Sequence, residues 1–395
     1  MKLYKNLVKA SSEVLGEIFE KKVYCDRALE KKFKENKQWG SRDRRFVAES
    51  VYDIVRNYRL YCEIAKTENN FWILISIWLV LKDFPLPDWP EFKNVDSRKI
   101  LKTKDFFKNN FPIYESYPDW LCELASRELG EEIWKIQARA LNNPAHVILR
   151  CNNLKVKKED LKKLLQVEGI ETIEIENCID GLKLLKRQNI FKSKLFQEGF
   201  FEVQDKSSQE VAYFLNPRPG ETVIDACAGA GGKSLHLSAL MKNKGKIICL
   251  DVEEAKLAEL KKRARRAGAF NIENRTFENN SIKKLTGRSD KLLLDVPCSG
   301  TGVIKRNPDT KWKLNLENLE KVKQVQRKIL DDYNIMLKQF GILVYSTCSI
   351  LPSENQNQVR EFLNRNKNFE LLEEKTILPN EGYDGFYMAK IKKTS

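Results

Sequence analysis

The stretch Leu292 to Asp309, LLLDVPCSGTGVIKRNPD, constrains this chain more than any other. Its run of three leucines reads as a short buried strand, which breaks at Asp295-Val296-Pro297-Cys298 into a loop holding Gly300, Gly302 and Pro308. In open α/β sheets ligands bind at the carboxyl ends of strands, so an acid and a thiol at such an end mark where chemistry is to be sought. A second stretch has the same shape: Gly341 to Tyr345 is apolar and delivers Ser346-Thr347-Cys348-Ser349. Two thiols at two strand ends require an explanation.

The rest of the chain supplies a frame for them. From Pro219 onward strand and helix patterns alternate: Thr222 to Ala226, a helix after Lys233, Lys246 to Leu250, a helix over Glu253 to Ala267, Lys291 to Leu294, a helix from Leu316 to Phe340, and Ile342 to Tyr345. That alternation predicts a doubly wound parallel α/β sheet in a domain spanning 206–395, closed by Phe386 to Ile391 as an antiparallel edge. Residues 1–110 form an all-helical domain of four to six helices, with stripes such as Leu7, Leu15, Ile18, Phe19 and Phe46, Val47, Val51, Ile54, Val55. Glu91 to Asn110, after a proline-rich break, reads as a linker. Residues 111–205 hold a linking helix from Ser116 to Leu141 and a small α+β module: strand Ala145 to Asn152, helix Lys158 to Leu165, strand Ile170 to Ile175. A β-α-β order with basic flanks suits an RNA-binding module.

Charge narrows the partners. The chain carries 70 Lys and Arg against 55 Asp and Glu, a formal charge of +15, so a polyanion, nucleic acid first, is the natural partner, with plain solubility the bland alternative. The basic loop around Trp39 places Arg42, Arg44 and Arg45 as phosphate contacts beside a stacking ring; the competing reading has Ser41 or Asp43 capping the next helix and the arginines solvated. Lys305 and Arg306 extend the candidate RNA contacts to the loop after Cys298. The nine cysteines are scattered, with no C-x-x-C pair and only two histidines, which argues for reduced thiols in a cytoplasmic protein and for no metal. The longest apolar run, Phe71 to Leu81, is far shorter than the ~20 residues a membrane span needs, so no membrane partner is expected.

The loop Asp225 to Ser234, DACAGAGGKS, invites comparison with the phosphate-binding G-x-x-x-x-G-K-[ST] but has Cys227 at the first glycine. What it offers is a tight strand-to-helix turn whose glycines let backbone approach a ligand. Asp251 ends the next strand 20 residues after Gly231, the spacing of a carboxylate on a ribose hydroxyl. A glycine turn plus a ribose acid without a phosphate code suits an adenosine ligand such as S-adenosylmethionine. Beside a methyl donor, one thiol can add to carbon-6 of a pyrimidine and so make carbon-5 nucleophilic, while a second removes the carbon-5 proton afterwards. Asp295 would bind the cytosine edge. Spacing alone leaves open which thiol attacks, and each Cys taken singly also reads as a small buried apolar residue.

Taken together, Asp225 to Ser234, Asp295 to Asp309 with Lys311-Trp312, and Tyr345 to Ser349 with Pro352, Glu354 and Asn355 resemble the RNA 5-methylcytosine methyltransferases of the Nol/Nop/Sun group, most closely its bacterial RsmB-type branch acting on small-subunit (16S) rRNA. Arg42 to Arg59 is similar to the family's NusB-like helical domain. The resemblance implies a Rossmann-like catalytic domain, Cys348 as nucleophile and Cys298 as the thiol assisting product release. It also implies a donor site of Cys227, Ala228, Gly229, Ala230, Gly231, Gly232, Lys233, Asp251, Asn279 and Asp295, with Lys233 and Asp295 near the target base. Two positions depart from the family pattern: Gly229-Ala230 replaces the usual Ala-Pro, and Asn279 stands where a third donor-contacting acid is usual. The expected protein is a monomeric RNA cytosine-5 methyltransferase; the same chemistry on tRNA or another rRNA site, or a non-catalytic assembly factor, are the alternatives.

Overall fold

The computed structural model describes residues 3–277 and 280–395, and these form two compact units. The first runs to Asn143 and also takes in Ile304–Leu316; the second comprises Pro144–Val303 and Glu317–Ser395. Residues 111–143, expected with the α+β module, make their contacts within the first unit.

The first unit is helical: α1 (Lys5–Phe19), α2 (Cys25–Glu35), α3 (Ser41–Arg56), α4 (Tyr58–Ala65), α5 (Phe71–Leu81) and α6 (Ser97–Phe106) precede the single-turn Phe111–Tyr114 and two longer helices. The apolar stripes of α1 and α3 are buried, as their three-and-four spacing requires. Helix α5, apolar all round, lies in the core with Leu74, Ile75, Ile77 and Leu79 enclosed. The expected linker instead holds α6, capped by the Asp96 carboxylate, which accepts from the Arg98 and Lys99 amides at 2.9 and 3.2 Å. The helix expected from Ser116 to Leu141 is two, Asp119–Leu129 and Glu131–Leu141, because Gly130 breaks it at a φ of 90°.

The excursion Ile304–Leu316 is built into this helical core. Lys311 is fully buried; its ammonium donates to the Arg56 and Ser116 carbonyls, both at 3.0 Å, and to Asn142 Oδ1 at 2.6 Å, and lies 3.7 Å from the centre of the Tyr117 ring. Burial holds its pKa well below the usual lysine value. The Trp312 indole donates to the Val55 carbonyl at 2.6 Å, and Asp309 accepts from the Cys25 amide at 3.0 Å.

In the second unit, β1 (Ile148–Cys151), β2 (Thr172–Glu174), β3 (Gly181–Leu184) and β4 (Phe201–Val203) make an antiparallel sheet in the order β2-β3-β1-β4. The two strands of the expected β-α-β unit are not neighbours: β3, too short to stand out in the pattern, lies between them. The larger sheet contains β5 (Thr222–Asp225), β6 (Lys246–Asp251), β7 (Ile272–Thr276), β8 (Ser289–Asp295), β9 (Leu337–Thr347), β10 (Phe369–Ile377) and β11 (Phe386–Lys393), ordered β10-β11-β9-β8-β5-β6-β7. Its strands β5 to β9 are parallel, and β11 and β10 add on antiparallel. Helices cover both faces: Val223 and Leu293 enter one core, Ile224, Leu292 and Leu294 the other, which explains runs of apolar residues without alternation. The edge is β10, not β11; the seven central residues of β10 are exposed and gave no buried-strand signal. The helix expected to reach Phe340 ends at Tyr333, and Leu337 already belongs to β9.

Candidate active site

Three parallel strands, β5, β8 and β9, bring the chemistry together because they are adjacent and end at one level of the sheet. Strand β8 ends at Asp295 and leads to Cys298; β9 leads to Cys348. Asp295 lies opposite Ser346 in the ladder, and one of its oxygens accepts from the Ser346 hydroxyl at 2.9 Å. The other accepts from the Lys233 ammonium at 2.5 Å, and that ammonium also sits 5.1 Å from the centre of the Phe386 ring. The two thiols meet: Cys298 Sγ is 3.1 Å from Cys348 Sγ. Contact with Cys348, reinforced by burial, holds the Cys298 pKa well above the usual thiol value.

The glycine turn after β5 occupies the neighbouring strand end. The Ala228 amide donates to Leu250 O at 3.0 Å, and the Gly229 amide to an Asp251 oxygen at 2.8 Å, so Asp251 supports the loop while its second oxygen accepts from the Glu253 amide at 2.9 Å. Gly231 has a φ of 84°, and a Cβ there would sit 2.4 Å from Leu260 Cγ; only glycine fits. Gly229 has positive φ for a different reason, since a Cβ there would meet nothing within 4 Å. Burial pushes the Asp225 carboxyl up to about 7; one of its oxygens accepts from Ser234 at 2.7 Å, and the other is buried without a hydrogen-bond partner. Burial likewise pushes the Cys227 thiol well up. Asn279 lies outside the described residues, so its expected donor contact has no structural counterpart here.

Two sets of residues received no role at the site from the sequence, although Glu354 stands in its motif. The first is Glu354, fully buried, whose carboxylate accepts from the Ser299 amide at 2.8 Å, the Ser299 hydroxyl at 2.5 Å, Gln326 Nε2 at 3.0 Å and the Ser349 hydroxyl. It thereby ties the residue after Cys298 to the residue after Cys348. The paired Cys-Ser dipeptides were the available signal. The second is a clamp from the small sheet onto the glycine turn. Buried Arg150 on β1 donates to Gly232 O and to Gln204 Oε1, both at 2.5 Å. Arg263 donates to Ala230 O at 2.8 Å while paired with Glu202 on β4 at 2.9 Å. One face of the module expected to carry RNA thus supports the glycine turn.

The candidate RNA contacts separate. Arg42 and Arg45 are exposed. Arg44 is occupied, its Nε donating to Trp39 O at 3.0 Å and its guanidinium lying 5.4 Å from the Phe33 ring centre. Trp39 is only 9% exposed and packs edge-on against Phe33, so its ring offers no stacking face; Asp43 accepts from the Gly40 amide at 3.2 Å, the capping alternative. Lys305 is 5% exposed and Arg306 half-buried, because the excursion that carries them packs into the helical core. Among the described residues no cluster suited to a metal ion occurs and no helix is long and apolar enough to cross a membrane.

Comparison with known proteins gives a consistent result. Residues 212–392 match the family described as 16S rRNA methyltransferase RsmB/F, and residues 117–191 match the ferredoxin-like domain of RsmF/B-like methyltransferases. The chain is 34% identical over 305 residues to the probable ribosomal RNA small subunit methyltransferase B of Bacillus subtilis, covering 70% of this chain and 66% of the relative. It is 33% identical over 298 residues to the corresponding protein of Proteus mirabilis, covering 73% and 68%. The chain thus spans about two thirds of the length of these relatives. Among solved structures, PH0851 superposes with a TM-score of 0.84 at 26% identity over 100% of both chains. A methyltransferase homolog from Pyrococcus horikoshii gives 0.64 at 28% identity over 72% of this chain and 98% of that one.

Proposed function

Since this chain belongs to the 16S rRNA methyltransferase RsmB/F family, we propose that it methylates carbon-5 of a cytosine in small-subunit ribosomal RNA through a covalent bond between Cys348 and carbon-6 of the base. The observation that carries the reading is the contact of two thiols, 3.1 Å apart, beside the strand-end Asp295 and the helical Lys233 that holds it.

S-adenosylmethionine supplies an electrophilic methyl group when bound. The residues present fit it: the glycine turn leaves open space at Gly229, Asp251 stands at the end of β6, and the loop is held rigid by Arg150 and Arg263. Binding falls to Cys227 through Lys233, with Asp251 and Asp295.

The chain's own residues act in order. Cys298, its pKa raised by the contact with Cys348 and by burial, keeps its proton and lies within reach of the Cys348 sulfur. Cys348 adds to carbon-6, and the electron pair displaced to carbon-5 takes up the methyl group. Asp295, fixed by Lys233 and Ser346, faces the N3 and amino edge of the cytosine. Once Cys348 is bonded to carbon it is a neutral thioether, which relieves the contact that is the main cause of the raised Cys298 pKa. Cys298 then releases its own proton to solvent and, as a thiolate, removes the carbon-5 proton; the carbon-5 to carbon-6 double bond re-forms, and Cys348 leaves as thiolate.

The test is incubation of wild type, Cys298→Ala and Cys348→Ala with RNA and labelled S-adenosylmethionine, followed by a denaturing gel. Cys348→Ala is expected to lose turnover by at least about 10⁴-fold, as removal of a nucleophile does, and Cys298→Ala to accumulate a slow-migrating protein-RNA adduct. An adduct in Cys348→Ala alone would reverse the two roles.

A further inference from the structure

Lysines on the first helices of the helical unit are largely neutralised: Lys21 and Lys31 pair with Glu17, Lys32 with Glu13 and Glu35, and Lys34 with Glu30. Helix α6 and the turn after it are different. The side chains of Arg98, Lys99, Lys102, Lys104 and Lys108 make no ion pair or hydrogen bond among the described residues. Of the two nearby acids, Asp96 is committed to the helix cap, leaving Asp105 to face them. Ile100 turns into the core, while Lys99, Lys102 and Phe106, spaced by three and four residues, share a solvent stripe. Phe106 is 80% exposed, and its ring meets that of buried Phe107 edge-on at 5.3 Å, which fixes its base while leaving its outer face open.

We infer that the exposed face of α6 is an RNA-gripping surface, its cations taking phosphates and Phe106 stacking on an unpaired base. This rests on the RNA substrate proposed above. A single exposed Phe on a protein surface is ordinary, and a paired charge run is a solvated face. An aromatic ring flanked on its own stripe by unneutralised cations is the combination that single-stranded RNA binding uses, because phosphate contacts release counterions and any base has a face to stack. An acidic membrane would also attract the cations, but insertion needs an apolar stripe along the helix, and the buried face of α6 is already spent on its own core.

The experiment measures binding of the full chain to unmodified small-subunit ribosomal RNA transcribed in vitro, between about 50 and 200 mM salt, alongside methylation of the same RNA. Wild type is compared with Lys99→Gln/Lys102→Gln, with Phe106→Ala and with a control, Lys31→Gln/Lys34→Gln. The two-lysine variant is expected to bind about tenfold more weakly with a salt slope shallower by about 1.4 to 1.8, two contacts' worth. Phe106→Ala is expected to lose about tenfold with the slope unchanged, and the control to match wild type. If wild type binds and methylates while all variants bind alike, the inference falls and the function stands. A wild type that neither binds nor methylates this RNA overturns the function, and the surface with it. Flotation of wild type, but not of the α6 variants, with phosphatidylserine vesicles, without any change in RNA binding, would make the face a membrane contact and overturn the proposal.

Discussion

Asp295 and Cys298 close a strand of the second unit, whereas Asp309, Lys311 and Trp312, a few residues further along the same motif, are built into the core of the first. Both halves bury charge, and they handle it in opposite ways. Around the thiols a carboxylate, Glu354, is satisfied by four donors and fixes two loops. In the excursion Lys311 is satisfied by three carbonyls, an amide oxygen and an aromatic face, and fixes a chain crossing. A buried charge is tolerated where every lone pair or proton is met, whatever its sign. The lesson is that a contiguous motif need not serve one purpose: its first half brings an acid and a thiol to a strand end and its second half anchors the chain.

Lys311→Met should separate the halves most strongly. It leaves three carbonyls and an amide oxygen without this donor in the helical core and should cost about 3 kcal/mol. All seven tryptophans lie in the helical unit, so the urea midpoint by tryptophan fluorescence reads this loss directly. An unchanged midpoint would show that the excursion is not an anchor. Glu354→Gln is the reciprocal test. It keeps the volume but supplies an amide where an acceptor faced Ser299 or Ser349, costing about 1 to 2 kcal/mol; methylation should fall by about 10- to 100-fold, in line with the loss of a supporting shell, with the tryptophan midpoint unmoved. Equal effects on midpoint and rate would erase the distinction.

The smallest effect concerns Asp225. Its folded pKa, about 7, lies above the ordinary carboxyl value, so the folded state holds a proton that the unfolded state has released; stability is full below the ordinary value and is lost as pH rises through 7. Between pH 6 and 8 wild type should lose about 1.4 kcal/mol through this group. Asp225→Asn should show a flatter profile in thermal melts of the second unit over that range, and a parallel profile would place the proton elsewhere.

Local pattern carried much of this protein. Helical stripes, apolar strands without alternation and glycine turns are set by spacing and φ, which are properties of neighbouring residues, and they gave the helical unit, the parallel sheet and the strand ends that bear Asp295, Cys298 and Cys348. What the pattern missed was set by contacts distant in the chain. Strand β10 is exposed and reads as a strand only because β11 pairs with it; α6 looked like a linker until Ile100 found the core; and Arg150 lies 82 residues from the Gly232 carbonyl it holds. Trp39 and Lys305 looked available to RNA because exposure is not a local property. The sequence by itself determined which residue types stand at the strand ends, since strand, turn and glycine are dictated by short-range sterics. Only the tertiary structure decided that two thiols 50 residues apart touch, and that a lysine just beyond the cysteine-bearing stretch belongs to a helical core, because loop paths and burial depend on packing the whole chain.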